Sequence, residues 1–289
     1  MDFEPPFFDK EYGRLYALCE ADLSSSFSGL QRQSSLCTTG TESSSNLLDS
    51  IFYSLFSGGK RFRPVLTLAV AEALGGEVSH VFPWARAIEF VHTYSLIHDD
   101  LPALDNDDFR RGQPTNHKKF GEATAILAGD ALLTEAYGCL QDIRLDKTSA
   151  LISLLTEAAG LRGMVAGQAM DIDFPSSLGV NSNYLVQIHK LKTASLIRAA
   201  CEGSALIVLS REQQALRAYG EHLGLSFQIA DDILDKDEGE KQNLVSMIGP
   251  CGTQDLLEYH IDQAIKVAQN LPRPEFLVQL ALFNLYRKK

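Results

Sequence analysis

The chain has 289 residues, 45% hydrophobic and 22% charged, the make-up of a folded globular protein and not of a disordered one. Its formal charge of −11 disfavours general binding to nucleic acid or to an anionic membrane, so an anionic ligand needs a local basic patch or a bridging cation. The start, MDFEPPFFDKEYGR, lacks the features of a signal peptide, and no apolar stretch approaches the ~20 residues that cross a bilayer.

Along the chain the first helices are expected to be interrupted by a serine-rich surface connection from Ser24 to Ser45. The segment GGKRFRP follows, with Lys60, Arg61 and Arg63 after two glycines. Glycine lets a backbone approach an anion, and the three cations suit a diphosphate through charge-assisted hydrogen bonds. This is not a Walker A loop, because Arg61 stands where Ser or Thr is needed, and a basic turn without a ligand is the other reading. Next, WARAIEFVHTYSLIHDD has the period of a helix, with Ile88, Val91, Ser95 and His98 on one face. His92 precedes Asp99 by seven residues and shares its face to within about 20°. A lone helical histidine is more often packed than ligating; the alignment with Asp99 makes this one a site candidate.

HDDLPALDNDDFRRG then crowds carboxylates that repel unless a cation sits among them. Asp99 and Asp105 are six apart, rotated by about 240° on a straight helix, and could not share a ligand there. Pro102 resolves this: it disfavours helix at Leu101, so the helix should end near Asp100 and let Asp105 fold back toward Asp99. An EF-hand is excluded, since the run from Asp105 has Phe109 at a ligand position and no glycine at the sixth place. Arg110 and Arg111 close the segment.

The remaining segments, TAILAGDALLTEAYGCL, SALISLLTEAAGLRGMVAGQAMDI, QIHKLKTASLIRAACEGSALIV and EQQALRAYGEHLGLSFQIADDILD, are rich in Ala and Leu and helical in pattern. Lys192 and Thr193 fall in the third, which is otherwise apolar. The fourth ends in a second acidic knot, where Asp231 and Asp235 are one turn apart and Gln228 lies a turn earlier. Hard oxygen donors without His or Cys suit Mg²⁺, which bridges carboxylates and phosphate oxygens; a solvated acidic loop is the bland alternative for either knot alone. No alternating strand run and no hairpin dipeptide of the Asn-Gly kind is present, and the loops SGGKRFRP, RRGQPTNHKKFG, FPSSLGVNSN and GPCGT are short. Cys19, Cys37, Cys139, Cys201 and Cys251 are scattered without CxxC spacing and read as free thiols of a cytoplasmic protein. The expectation is an all-α fold, one domain over residues 1–289.

From about Ser57 to Asp235 these motifs, in this order, resemble the trans-isoprenyl diphosphate synthases, most closely the bacterial farnesyl diphosphate synthases. The resemblance implies an isoprenoid synthase helical bundle around a deep central cavity, usually a homodimer. It implies that Asp99, Asp105 and Asp231 bind about three Mg²⁺ ions, with Mn²⁺ as a substitute, on an allylic diphosphate. Asp100, Asp232, Asp235, Gln168 and Gln228 would support that cluster. Arg110, Lys192 and Lys241 would contact the same diphosphate. Lys60, Arg63, His92 and Arg111 would hold isopentenyl diphosphate. The implied reaction is ionisation of the allylic substrate, condensation and loss of a proton, with Thr193 and a neighbouring carbonyl helping to shelter the cation. No side-chain nucleophile is needed, and no Ser–His–Asp or Cys–His arrangement offers one.

Tyr94, five residues before Asp99, would be the floor that stops growth at farnesyl length; a packed core tyrosine is the other reading, and geranylgeranyl diphosphate is the alternative product. Ser95, beneath Asp99, is small. The chain departs from the family after Asp235, where DKDEGEKQNLVSMIGPCG is short; Lys236 could stand in for Lys241 there. A terpene cyclase would not need the second diphosphate site. A non-catalytic subunit of a heteromeric synthase should lose one acidic knot, and this chain keeps both. The tail YRKK carries Arg287, Lys288 and Lys289, which either fold over the isopentenyl site or fray.

Overall fold

Leucine and alanine recur at helical spacing through most of the chain, and helices are what they form in the computed structural model, which describes residues 2–37, 43–143, 145–174, 182–235 and 243–287. Among the described residues the order is α1 (Pro5–Cys37), α2 (Ser43–Leu55), α3 (Phe62–Ala73), α4 (Phe82–Asp99), α5 (Asn116–Phe120), α6 (Glu122–Gly138), α7 (Leu145–Ala159), α8 (Met164–Ile172), α9 (Ser182–His189), α10 (Ser195–Ile207), α11 (Gln213–Leu234), α12 (Leu244–Ala268) and α13 (Glu275–Tyr286). A π turn, Lys190–Ala194, joins α9 to α10. The fold is all-α, as expected.

α10 is the central helix, packed on α3, α4, α7 and α11. Trp84 of α4 is fully buried against it, and its indole N–H donates to the carbonyl of Ala199 at 3.1 Å. Burying such a side chain stabilises the fold by roughly 1.5–3 kcal/mol. α4 and α11 both end in an acidic knot, so the packing of these two helices around α10 decides where the carboxylates meet.

Four sequence expectations are corrected. The serine-rich stretch does not interrupt the first helix, which continues to Cys37. Leu15, Cys19, Leu23 and Phe27 recur every fourth residue and are all buried, so one apolar stripe outweighs the poor helix propensity of serine. The rest of that connection, residues 38–42, lies outside the described residues. A small hairpin is present, β1 (Phe109–Arg110) paired with β2 (Gln113–Pro114), and its turn residues Arg111 and Gly112 both have positive φ, 53° and 75°. That is the type I′ pattern, with Arg in place of the usual Asn or Asp.

The single helix expected from Ser149 to Ile172 is two, α7 and α8. A side chain at Gly163 would place its Cβ 2.0 Å from the carbonyl oxygen of Ala158, so the chain turns there on a bare backbone. By length and composition the stretch Asp146–Ile172 is nonetheless apolar enough to cross a membrane, with mean hydropathy 1.2. Within the fold it is bent at this break, and Leu151, Leu155 and Ala158 belong to the core. Finally, GPCGT is not a loop but a kink within α12, at Gly249 with φ 75° and ψ 165° before Pro250.

A titratable pair lies between α11 and α12, where His222 Nδ1 and His260 Nδ1 are 2.9 Å apart. One ring must donate and the other accept, so the contact does not survive protonation of both. Burial, and then His222, pushes His260 down to about 4. Burial also lowers His222, with Glu221 opposing and Lys190 adding to the shift. An unfolded histidine titrates near ~6.5. The pair's contribution is therefore complete above about 6.5 and declines as pH falls toward about 4, because the unfolded chain binds protons first. Thermal melts across that window should show Tm falling with acidification, and His260→Gln should flatten the slope. An unchanged slope would exclude the pair as its source.

Candidate active site

α4 ends at Asp99, as Pro102 dictates, and the chain folds back so that the Asp105 N–H donates to the Asp99 carbonyl at 2.9 Å. Asp105 is thus brought to Asp99 despite the wrong helical spacing. Asp99 lines an apolar cavity of about 390 Å³ with Leu96, Leu104, Met164 and Val165. Asp105 lines a polar one of about 640 Å³ with Asp107, Asp171, Gln228 and Asp232. Lys192 and Thr193 line both, so the cavities adjoin at the π turn. π turns inside helices recur at functional sites because they re-aim neighbouring side chains. α8 passes so close that a Cβ on Gly167 would lie 2.3 Å from the Lys192 nitrogen.

At the junction the Lys192 ammonium is 2.5 Å from Asp171 Oδ2, and Thr193 Oγ1 donates to Gln228 Oε1 at 2.8 Å. Asp171 escaped the sequence reading, although it sits three residues after Gln168 and so on the same side of α8. Arg287, expected either to fold over the isopentenyl site or to fray, is not frayed but lies against the second knot. Its guanidinium is buried, pairs with Asp231 Oδ1 at 2.8 Å, donates to the Phe227 carbonyl and stacks over the Phe227 ring at 4.1 Å. Its only sequence signal was a basic residue near the terminus.

The knots divide into carboxylates turned to the cavities and carboxylates already committed. Asp100 is buried and paired with Arg110 at 2.5 Å, which in turn reaches Asp107 at 3.5 Å. Arg110, expected on a diphosphate, is thus held against the first knot by two of its carboxylates. Asp232 accepts from the Leu244 N–H at 2.9 Å and lies 3.1 Å from His189 Nε2, so it serves as the anchor of α12 as well as a cavity wall. Burial raises Asp99 to about 6, with Asp105 and Asp100 adding and Lys192 opposing. Burial likewise raises Asp105 and Asp231, the latter offset by Arg287 and Lys60. Asp235 follows α11 at its C-terminal end, half-buried.

These are hard oxygen donors short of positive charge. Gln168 Oε1 is a buried acceptor with no hydrogen-bond partner, in the same wall as Asp99. Among the described residues no three His, Cys, Asp or Glu side chains form a ready-made cage. The set fits Mg²⁺, which is held by one or two carboxylates and completes its shell with water and phosphate oxygens.

The basic segment splits in the same way. Arg61 is buried, with φ 47°, and its guanidinium is engaged by Glu20, Glu89 and the Leu55 carbonyl, so it is a structural residue and not a diphosphate ligand. Arg63 lines the apolar cavity beside His92, its Nε lacks a partner, and burial lowers it to about 10. Burial and then Arg63, Arg111 and Arg110 hold His92 well below its usual value, so it is neutral in a positive surrounding. The Arg111 guanidinium lies over Gly59, where a Cβ would come within 2.6 Å, and donates to the Gly58 carbonyl. The two glycines therefore make room for Arg111. Lys60 is exposed beside them. Tyr94 is buried in the wall of the apolar cavity, its hydroxyl raised to about 12 by burial and then by Asp99. Lys241, Lys236, Lys288 and Lys289 lie outside the described residues.

The chain is similar in sequence and in fold to known proteins. The chain is 48% identical over 209 residues, 71% of its own length and 71% of the relative's, to a farnesyl diphosphate synthase of Micrococcus luteus. It is 42% identical over 237 residues, 80% of the chain and 79% of the relative, to that of Bacillus subtilis. The crystal structure of a geranyltransferase from Legionella pneumophila superimposes with a TM-score of 0.84 at 31% identity, covering 97% of this chain and 95% of that one. The family model described as polyprenyl synthetase matches residues 45–244, a span that takes in both knots, the π turn and the basic segment, and the chain belongs to that family.

Proposed function

We propose that the protein condenses isopentenyl diphosphate with an allylic diphosphate, dimethylallyl or geranyl, to give farnesyl diphosphate and diphosphate. The observation that carries this reading is the meeting of a carboxylate-lined cavity and an apolar one at Lys192 and Thr193. One end suits a diphosphate with its cations, the other a growing hydrocarbon. The relatives named as farnesyl diphosphate synthases support the same product.

Asp99, Asp105 and Asp231 would hold Mg²⁺, with Asp235, Gln168 and Gln228 around them, Asp100 fixing Arg110 and Asp232 anchoring α12 behind them. When bound, the ions supply neutralisation of the charge that gathers on the departing diphosphate. Lys192, poised on Asp171, gives that diphosphate a charge-assisted hydrogen bond, and Lys241 would add a second. Leu96, Leu104, Met164 and Val165 keep water from the allylic cation. Thr193, donating to Gln228, leaves its oxygen lone pairs free to face that cation. Arg63, Arg111, Lys60 and neutral His92 receive the diphosphate of the second substrate, whose double bond attacks the cation. The proton then lost passes to the released diphosphate held by Lys192.

We assign the protein to the cytoplasm, as one helical domain that works as a homodimer. Exposed Ile126 and Leu127 on α6 offer an apolar face to a second copy. Purified protein should release diphosphate only when both substrates and Mg²⁺ are present, and EDTA should abolish release. Release without isopentenyl diphosphate would point to a hydrolase or a cyclase. Tyr94→Ala should enlarge the apolar cavity and move the product beyond farnesyl length by one or more isoprene units. A product of unchanged length would make Tyr94 a packing residue only.

A further inference from the structure

The apolar cavity has in its wall an imidazole, that of His98, whose position is over-determined. Tyr94 and His98 lie one turn apart on α4 and both face the cavity. Their rings meet edge to face, with centroids 5.7 Å apart and planes at 78°. His98 Nε2 lies 3.1 Å from the Ile126 carbonyl oxygen on α6. A carbonyl only accepts, so Nε2 carries a hydrogen and donates it to α6. Its edge rests on bare backbone: a Cβ at Gly129 would come within 2.1 Å of Nε2, 2.5 Å of Cδ2 and 2.8 Å of Cε1. No residue other than glycine at position 129 leaves that slot open. The imidazole is thereby pinned to α6 at one edge while it meets the ring of Tyr94.

Tyr94 needs such a neighbour. A long side chain on a helix has two favoured χ1 wells, and a floor works only while the ring keeps to one of them. The edge contact with His98 supplies that restraint from the α6 side. We propose that His98 is a positioning residue for product length: clamped between the Ile126 carbonyl and the face of Gly129, it holds the Tyr94 ring across the cavity. The proposal rests on the prenyl-elongation reading above and names a determinant of its specificity.

The test is the product distribution of four variants, assayed beside the wild type with isopentenyl diphosphate and geranyl diphosphate. His98→Ala leaves Tyr94 in place but unrestrained, and should raise the ratio of longer products to farnesyl diphosphate by about tenfold. His98→Gln keeps a donor for the Ile126 carbonyl and should return the ratio toward wild type. His98→Ala with Tyr94→Ala should give no longer product than Tyr94→Ala alone, since both act on one floor. Gly129→Ala keeps both rings and denies the slot, and must shift the distribution even if His98→Ala folds poorly. An active His98→Ala or Gly129→Ala enzyme with the wild-type distribution overturns the proposal, whatever its turnover. A wild type that elongates nothing overturns the elongation reading itself, a separate and recognisable result.

Discussion

Asp99→Asn is expected to lower turnover by about 10²–10³-fold while leaving the fold intact. Asp99 is the last residue of α4, and its backbone carbonyl, not its side chain, receives the Asp105 N–H that folds the first knot. The substitution keeps that bond and the shape of the side chain and removes only the charge. Burial and the neighbouring carboxylates already raise this group to about 6, so its charge is a cost to the fold alone. The variant should therefore melt no lower than the wild type at neutral pH, with an unchanged circular dichroism spectrum. Steady-state kinetics at saturating Mg²⁺, with thermal melts on the same samples, separate the two effects. Turnover near that of the wild type would remove Asp99 from the site.

The largest effect on stability is expected at Arg61, and it runs against the sequence reading of that residue. Its guanidinium joins three helices: Nε to Glu20 of α1 at 2.5 Å, Nη1 to Glu89 of α4 at 2.7 Å, and Nη2 to the Leu55 carbonyl at the end of α2. The side chains of Arg61 and Glu89 are 1% and 3% exposed, so Arg61→Ala leaves a buried carboxylate without a counter-charge. Breaking one partner of such a pair costs about 3–5 kcal/mol, far more than the pair contributes relative to apolar groups of the same shape. Urea unfolding should show that loss, and Arg61→Met with Glu89→Leu should recover a large part of it. A loss of less than about 1 kcal/mol, the range of an exposed pair, would contradict the account.

What was legible in the sequence followed from local rules. Pro102 between Asp99 and Asp105 predicts where α4 stops and why two carboxylates six apart converge. Asp231, Asp235 and Gln228 share a face because nothing between them breaks α11. Lys192 and Thr193 stood out as polar residues in an apolar helix, though not the π turn that aims them. What was not legible depended on partners distant in the chain. Arg61 and Arg63 are two residues apart in one basic segment, and only Glu20 and Glu89 decide that the first turns inward while the second keeps an unpaired donor at the cavity. Asp100 and Asp99 are adjacent, yet Arg110 claims one and leaves the other. Leu15 to Phe27 carried the helix through a run of serines that composition alone reads as a connection. Arg287 reaches Asp231 from the far end of the chain, which no spacing rule connects.

The most direct measurement is the identity of the product. Metal-stripped protein is given isopentenyl diphosphate and geranyl diphosphate, Mg²⁺ is added back, and the dephosphorylated products are separated and weighed by chromatography and mass spectrometry. The account predicts farnesol as the principal alcohol, formed only with both substrates and only after Mg²⁺ is restored. Recovery of geraniol alone, or of a cyclised hydrocarbon, would contradict it.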